Sequence, residues 1–216
     1  VTLVRAADCP PVPWANGGGR TRELARHGGA AAEGQAFAWR LSLAEIERSG
    51  PFSPLPGVDR VFAPVRGRVR LSFADRALTL GAGDRPLAFD GGQPPQAEPL
   101  DGAPCAALNL MLARGRCTGA LRRVRVAAGH AAGPPRAAAA APTGGVRGWF
   151  VVRGRLHGTA GEAGGDCLWL DDAGDAPPVA AESSALLELT VTCPAAPEPP
   201  AGGATRRRGG DGRAPG

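Results

Sequence analysis

The 216-residue chain reads as an all-β protein built from two β-sandwich halves. Two observations lead to that class. First, apolar and polar residues alternate at period two through short runs bounded by Gly, Pro and Asp, which is the pattern of half-buried strands. Second, a strand–glycine–strand segment occurs twice. Arg60-Val-Phe-Ala-Pro-Val-Arg-Gly-Arg-Val-Arg-Leu71 aligns with Arg147-Gly-Trp-Phe-Val-Val-Arg-Gly-Arg-Leu-His-Gly158, sharing an Arg, a Val and then Arg-Gly-Arg. Downstream, Leu78-Thr-Leu80 with Gly83-Asp84 echoes Leu168-Trp-Leu170 with Gly174-Asp175. In an Arg- and Gly-rich chain either match alone carries little, but two in the same order point to related halves.

In chain order, Pro10, Pro11 and Pro13 lead into a glycine turn at Asn16-Gly17-Gly18-Gly19. Leu41 to Arg48 is expected to form a helical turn or two. Arg60–Arg66 and Gly67–Phe73 read as strands joined at a glycine, with Val69, Leu71 and Phe73 inward and Arg68, Arg70 and Ser72 outward. Ala77–Leu80 is a short strand ended by Gly81-Ala82-Gly83-Asp84. Leu108 to Leu112 is a buried run with one amide, Asn109, inside it, and Leu121 to Val126 alternates apolar residues with Arg. The chain divides into an N-terminal half, 1–128, an Ala/Gly/Pro-rich loop or linker, 129–145, and a C-terminal half, 146–193. The tail, 194–216, has no aliphatic residue larger than Ala. It cannot bury enough surface to offset its ordering entropy and is expected to be disordered.

There are 33 Gly and 22 Pro, and Lys and Tyr are absent, so all 25 basic residues are Arg. A GC-rich genome accounts for that bias. The net charge of +5 is modest and the arginines are scattered among acids, so no nucleic-acid surface is expected. No run is long and apolar enough for a membrane span, and no signal peptide is visible. Five cysteines, an odd number without CxxC, read as reduced thiols, with Cys105 and Cys117 as core filler. A soluble cytoplasmic protein is expected.

Nucleophile and phosphate motifs are missing. There is no G-x-S-x-G. Pro86 stands where the third glycine of a dinucleotide loop belongs, and Gly17-Gly18-Gly19 lacks the Lys of a P-loop. His27, His130 and His157 sit in unrelated segments and read as surface or loop imidazoles. Six polar residues beside rigid Gly and Pro segments remain as candidate ligand-binding groups: Asn16, Thr21, Arg40, Ser53, Arg60 and Asn109. The two arginines can grip a carboxylate in two-pronged fashion. The amides and hydroxyls can orient what the arginines hold. Each also has a plain structural reading. Asn16 can satisfy the triple-glycine turn, Arg40 can pair with Glu23 or Glu45, and Arg60 can pair with Asp59.

Arg60 to Gly67 has the shape of the first cupin motif, in which a metal-binding Glu opens a hydrophobic strand that ends in Gly. Here that position is Arg60. The two His positions before it are Pro54 and Pro56, and the third, counted from Gly83 in the second motif, is Pro94. A cupin metal needs neutral imidazoles and a carboxylate. Prolines offer no side-chain donor and a guanidinium repels the ion, so no metal and no cofactor are expected.

The chain resembles the HutD/Ves family through Pro13-Trp14, Asn16-Gly17-Gly18-Gly19, Thr21-Arg22-Glu23, Trp39-Arg40 with Ser42, Gly50-Pro51-Phe52-Ser53, Pro56-Gly57, Asp59-Arg60, Phe89-Asp90-Gly91, and Leu108-Asn109 with Met111. The family commonly has Lys where this chain has Ala15. The resemblance implies a double cupin, with RmlC-like jelly-roll sandwiches, in a bacterial cytoplasmic protein. It implies a regulatory role in histidine utilisation through binding of a small anionic metabolite, urocanate-like or formylglutamate-like. No catalytic residue is assigned, and a homodimer is compatible with the reading. Two alternatives stand beside it. One is a metal-free isomerase or hydrolase acting on a small carboxylate, with Glu23 and Asp59 as its acids. The other is an interaction module using Arg206-Arg207-Arg208.

Overall fold

The structure is a computed structural model that describes residues 2–28, 37–134, 146–171 and 176–194. The Gly174-Asp175 echo, the linker from residue 135 and the tail from residue 195 lie outside the described residues. The strands, in chain order, are β1 (Thr2–Arg5), β2 (Pro11–Pro13), β3 (Gly19–His27), β4 (Trp39–Ile46), β5 (Gly50–Pro51), β6 (Val58–Arg66), β7 (Arg68–Ser72), β8 (Ala77–Gly81) and β9 (Leu87–Asp90). They continue with β10 (Gln96–Pro99), β11 (Cys105–Ala113), β12 (Thr118–Val126), β13 (Val146–Arg153), β14 (Leu156–Gly158), β15 (Gly161–Ala163), β16 (Cys167–Asp171), β17 (Val179–Ala180) and β18 (Ser184–Thr192). One short 3-10 turn, Ala6–Asp8, is the only helical element among the described residues.

Four antiparallel sheets stack in layers. A six-stranded sheet runs β2-β3-β4-β11-β6-β9, and a four-stranded sheet β5-β10-β7-β8 covers one of its faces. Ile46, Phe62, Val69, Leu71, Ala97, Cys105 and Ala107 form the core between those two. A five-stranded sheet runs β1-β16-β13-β18-β12, covered by the small sheet β15-β14-β17. Trp149, Val151, Leu156, Trp169, Ala180 and Leu186 fill that second sandwich. The sandwiches meet back to back. Leu41, Leu43, Val61, Leu108 and Leu110 of the six-stranded sheet pack with Phe150, Leu168, Leu187 and Leu189 of the five-stranded one. The sheets are open and stacked, not closed barrels.

β11 lies at the centre of the six-stranded sheet and is buried at all nine positions. Its near-continuous apolar run follows from having a covered face on both sides. β1 and β12 come from the first 128 residues in sequence, yet they form the two edges of the five-stranded sheet, paired with β16 and β18.

Two expectations are corrected. Leu41 to Arg48 is not helical, because Leu41–Ile46 is part of β4, paired with β3 on one side and β11 on the other. A strand buried on both faces loses its alternation, and its apolar spacing then mimics a helix. Cys117 is buried as expected but is not a free thiol. It is bonded to Cys193, where the start of β12 meets the end of β18. The register Thr118↔Thr192 brings the two neighbouring cysteines together, although 76 residues separate them in sequence. Cys9, Cys105 and Cys167 are free.

Candidate functional site

The six-stranded sheet turns alternate side chains toward its four-stranded partner. On that face β4 carries Arg40, Ser42 and Ala44, β11 carries Asn109 and Met111, and β6 carries Arg60 and Phe62. The register Asn109↔Ser42 and Asn109↔Phe62 sets them side by side. Toward one end of the sandwich Ile46, Phe62 and Ala107 close the core with Val69 and Leu71. Toward the other end the covering sheet stops, and a cavity of about 620 Å³ opens. That is within the usual range for a small-molecule pocket.

All six sequence-predicted residues line this one cavity: Asn16, Thr21, Arg40, Ser53, Arg60 and Asn109. Asn16 and Ser53 are on its exposed rim, Thr21 and Arg40 are half-buried, and Arg60 and Asn109 are buried at its base. Phe37, Phe52, Leu55 and Met111 supply an apolar wall.

The rim is held by polar contacts. Asn16 accepts from the Gly18 N–H at 3.0 Å and donates to the Pro51 carbonyl at 3.2 Å. Its structural reading as the support of the glycine turn is therefore observed. It also ties that turn to β5. The Trp14 indole donates to Thr21 Oγ1 at 2.7 Å. The Trp14 ring meets Phe52 edge-on, with centroids 6.0 Å apart. A bulge at Leu24 drops that residue into the inter-sheet core while Glu23 stays at the cavity.

The base is cationic. Arg60 is 5% exposed, and its Nε donates to Asn109 Oδ1 at 3.3 Å. Its guanidinium lies 4.8 Å from the Phe52 ring centroid and 5.3 Å from that of Phe89. Such cation–π contacts recover part of the lost hydration. Among the described residues no carboxylate reaches Arg60. Asp59, proposed from sequence as its partner, alternates to the other face and pairs with Arg114 at 2.6 Å. Burial, and then the charge of Arg40, push the Arg60 guanidinium down to about 10, which leaves it charged at neutral pH.

Arg40 pairs loosely with Glu23, at 3.7 Å. Glu45, its other candidate partner, pairs with Arg20 instead. Among the described residues, Arg40 Nε and the fully buried Ser42 Oγ have no hydrogen-bond partner. The cavity therefore combines two positive charges, unspent donors and an aromatic wall. Of the two acids singled out for catalysis, Glu23 lines the cavity and Asp59 does not. Sequence reasoning passed over Phe52, Phe89 and Ser42 as site groups. The first two are ordinary core aromatics until a cation is placed between them.

The residues at the cupin metal positions do not fit a metal ion. Arg60 stands at the base beside Arg40, and Pro54 lines the wall. His27, His130 and His157 are all exposed and lie outside the cavity lining.

The HutD family model matches residues 6–187. An uncharacterized 21.2 kDa protein in the hutC 3′ region of Pseudomonas putida is 40% identical over 107 residues, covering 47% of this chain and 53% of that protein. Protein Ves of Cronobacter sakazakii is 33% identical over 117 residues, covering 50% of this chain and 59% of that protein. The chain thus spans a little over half the length of the curated relatives it matches. Among solved structures, HutD from Pseudomonas fluorescens SBW25 (formate condition) is 26% identical with a TM-score of 0.65, covering 88% of this chain and 98% of that one. Bacterial pirin YhhW from Escherichia coli, in complex with nickel(II), is 11% identical with a TM-score of 0.64, covering 90% and 99%. The pirin likeness is one of fold alone, and it agrees with the all-β, double-cupin class.

Proposed function

The chain belongs to the HutD family, and from that premise we propose that its first-sandwich cavity binds a small carboxylate metabolite in the service of histidine utilisation. The reading is of a binding protein with a regulatory role, working in the cytoplasm without chemistry of its own.

One observation carries it. Arg60 is a buried guanidinium whose polar contacts are a neutral amide and whose flanks are aromatic faces. Burying a charge without a counter-ion is costly. A carboxylate entering the cavity offsets that cost and gains charge-assisted hydrogen bonds. Arg40 adds a second positive charge, and Phe37, Phe52, Leu55 and Met111 suit a short carbon skeleton. The link to histidine utilisation is supported by the hutC-region relative and by the HutD structure. Urocanate-like and formylglutamate-like acids fit this description.

Calorimetric titration with urocanate, N-formylglutamate and small dicarboxylates tests the reading. Arg60→Ala is expected to weaken binding by roughly 2–5 kcal/mol, as when one member of a buried charge pair is removed. Circular dichroism should show the fold intact. No binding by the wild type, or unchanged affinity in a folded Arg60→Ala, would overturn the reading.

A further inference from the structure

The second sandwich holds a buried carboxylate between two arginines. Glu188 is 4% exposed. Arg147 donates to its Oε1 from Nε at 2.9 Å and Nη2 at 2.6 Å. Arg122 donates to its Oε2 from Nε at 2.9 Å and Nη2 at 2.5 Å. The Arg147 guanidinium lies 4.9 Å from the Trp149 ring centroid.

This cluster occupies the same place in its sandwich as Arg60 and Asn109 do in theirs. β6 pairs with β11, and β13 pairs with β18. Both β6 and β13 bulge by one residue near the end, at Val65 and Val152, and both then turn at a glycine of positive φ, Gly67 and Gly154. Counted back from the bulges, Phe62 faces Asn109 and Trp149 faces Glu188. Arg60 and Arg147 each stand two residues earlier. Asn109 therefore holds the position of Glu188. On the opposite neighbour strand, Arg60 faces Phe89 where Arg147 faces Asp171. The first sandwich keeps the arginine and an aromatic neighbour and has exchanged both carboxylates for uncharged residues.

β4 flanks β11 as β12 flanks β18. By register the position of Arg122, which faces Glu188, is held by Ser42, which faces Asn109, and the nearest arginine of β4 is Arg40, two residues along the strand. Arg40 lines the same cavity as Arg60.

We infer that Asn109 keeps the first site open, and that a ligand carboxylate takes the place filled by Glu188 in the second, one oxygen on Arg60 and the other on Arg40. This rests on the carboxylate-binding reading above and extends it. The ligand class is a free carboxylate on a short chain. An ester or primary amide of the same skeleton lacks the anionic oxygens and is excluded.

The test places the missing carboxylate inside the protein. Asn109→Asp is isosteric, and Asn109 Oδ1 already lies 3.3 Å from Arg60 Nε. Melting temperatures of Asn109→Asp are compared with its parent in the wild-type and Arg60→Met backgrounds. Affinities for formate, urocanate and N-formylglutamate are measured alongside. Asn109→Asp is expected to melt higher than wild type when Arg60 is present and lower than its parent when Arg60 is Met. It is expected to bind the carboxylate probes at least tenfold more weakly than wild type. Asn109→Glu, which copies the second sandwich, is expected to do the same and serves if the Asp variant folds poorly. An equal melting shift in both backgrounds overturns the inference, as does wild-type affinity in Asn109→Asp. If wild type binds none of the probes, the binding reading fails by itself, and the melts still decide whether Asn109 leaves Arg60 open.

Discussion

Arg60→Met is expected to keep or raise the melting temperature while it removes carboxylate binding. Cutting down a core residue usually destabilises. Here the side chain removed is a buried charge, and Met fills a similar irregular space between Phe52 and Phe89. A clear drop in melting temperature would mean that the cation–π contacts outweigh the desolvation cost. Alkaline melts give a second readout. The folded Arg60 guanidinium is held at about 10, well below its ordinary value, chiefly by burial. Across that window the unfolded chain holds the proton and the folded chain releases it, so stability rises with pH. Cys105 works the other way, because its buried thiol is raised to about 11 and the unfolded thiol ionises first. The comparison that isolates Arg60 is therefore wild type against Arg60→Met. Wild type should gain relative to the variant between about pH 10 and 12. The chain has no Lys or Tyr to confuse that range.

At the scale of elements, the Cys117–Cys193 bond fastens β12 to β18 at one end of their ladder. Titration of thiols in denaturant without reductant should find three, matching Cys9, Cys105 and Cys167, and a count of five would refute the bond. Closing a loop of this length stabilises by about 4.5 kcal/mol at most on the chain-entropy argument. Reduction, or Cys193→Ser, should accordingly lower the melting temperature by several degrees. The bond was not legible in the sequence because strand pairing, not cysteine spacing, creates it. The same reason explains β4, which read as helix because both of its faces are covered. Strands with one wet face were legible. In β7, Val69 and Leu71 are fully buried while Arg68 and Arg70 point out. The six polar residues that line the cavity were legible too, because they sit beside fixed glycines and prolines or alone in apolar strands. Glu188 carries that last signal as well, a single acid within Leu186-Leu187-Glu188-Leu189. The repeat places Arg147 opposite Arg60, and the partner of each could have been sought in the same way. The aromatic faces around Arg60 had no such mark.

At the scale of the whole molecule, the two halves are divided in sequence but joined in space. A fragment of residues 1–128 is expected not to fold on its own. It would carry β1 and β12 without β16 and β18, the strands they pair with. It would also expose the apolar back of the six-stranded sheet, where Leu41, Leu43, Val61, Ala63, Leu108 and Leu110 pack against the second sandwich. At ~25 cal/mol per Å² of apolar surface, a layer of this kind is worth far more than the polar rim around it. That rim includes Arg66 with Asp166 at 2.5 Å, and Arg123 donating to the Pro64 carbonyl at 2.6 Å. The Arg66 pair is about half exposed on its Arg side, so breaking it with Asp166→Asn should cost under about 1 kcal/mol. The full chain should therefore melt as one cooperative unit, and Asp166→Asn should melt within a few degrees of wild type. The fragment should show a broad melt or aggregate through its exposed sheet face. Co-expression of 1–128 with 129–216 should restore a soluble complex, because the strand partners and the apolar layer are then both present. A sharp melt and intact carboxylate binding in the isolated fragment would show that the first sandwich stands alone. The inter-sheet layer would then be an interface between finished domains and not a shared core.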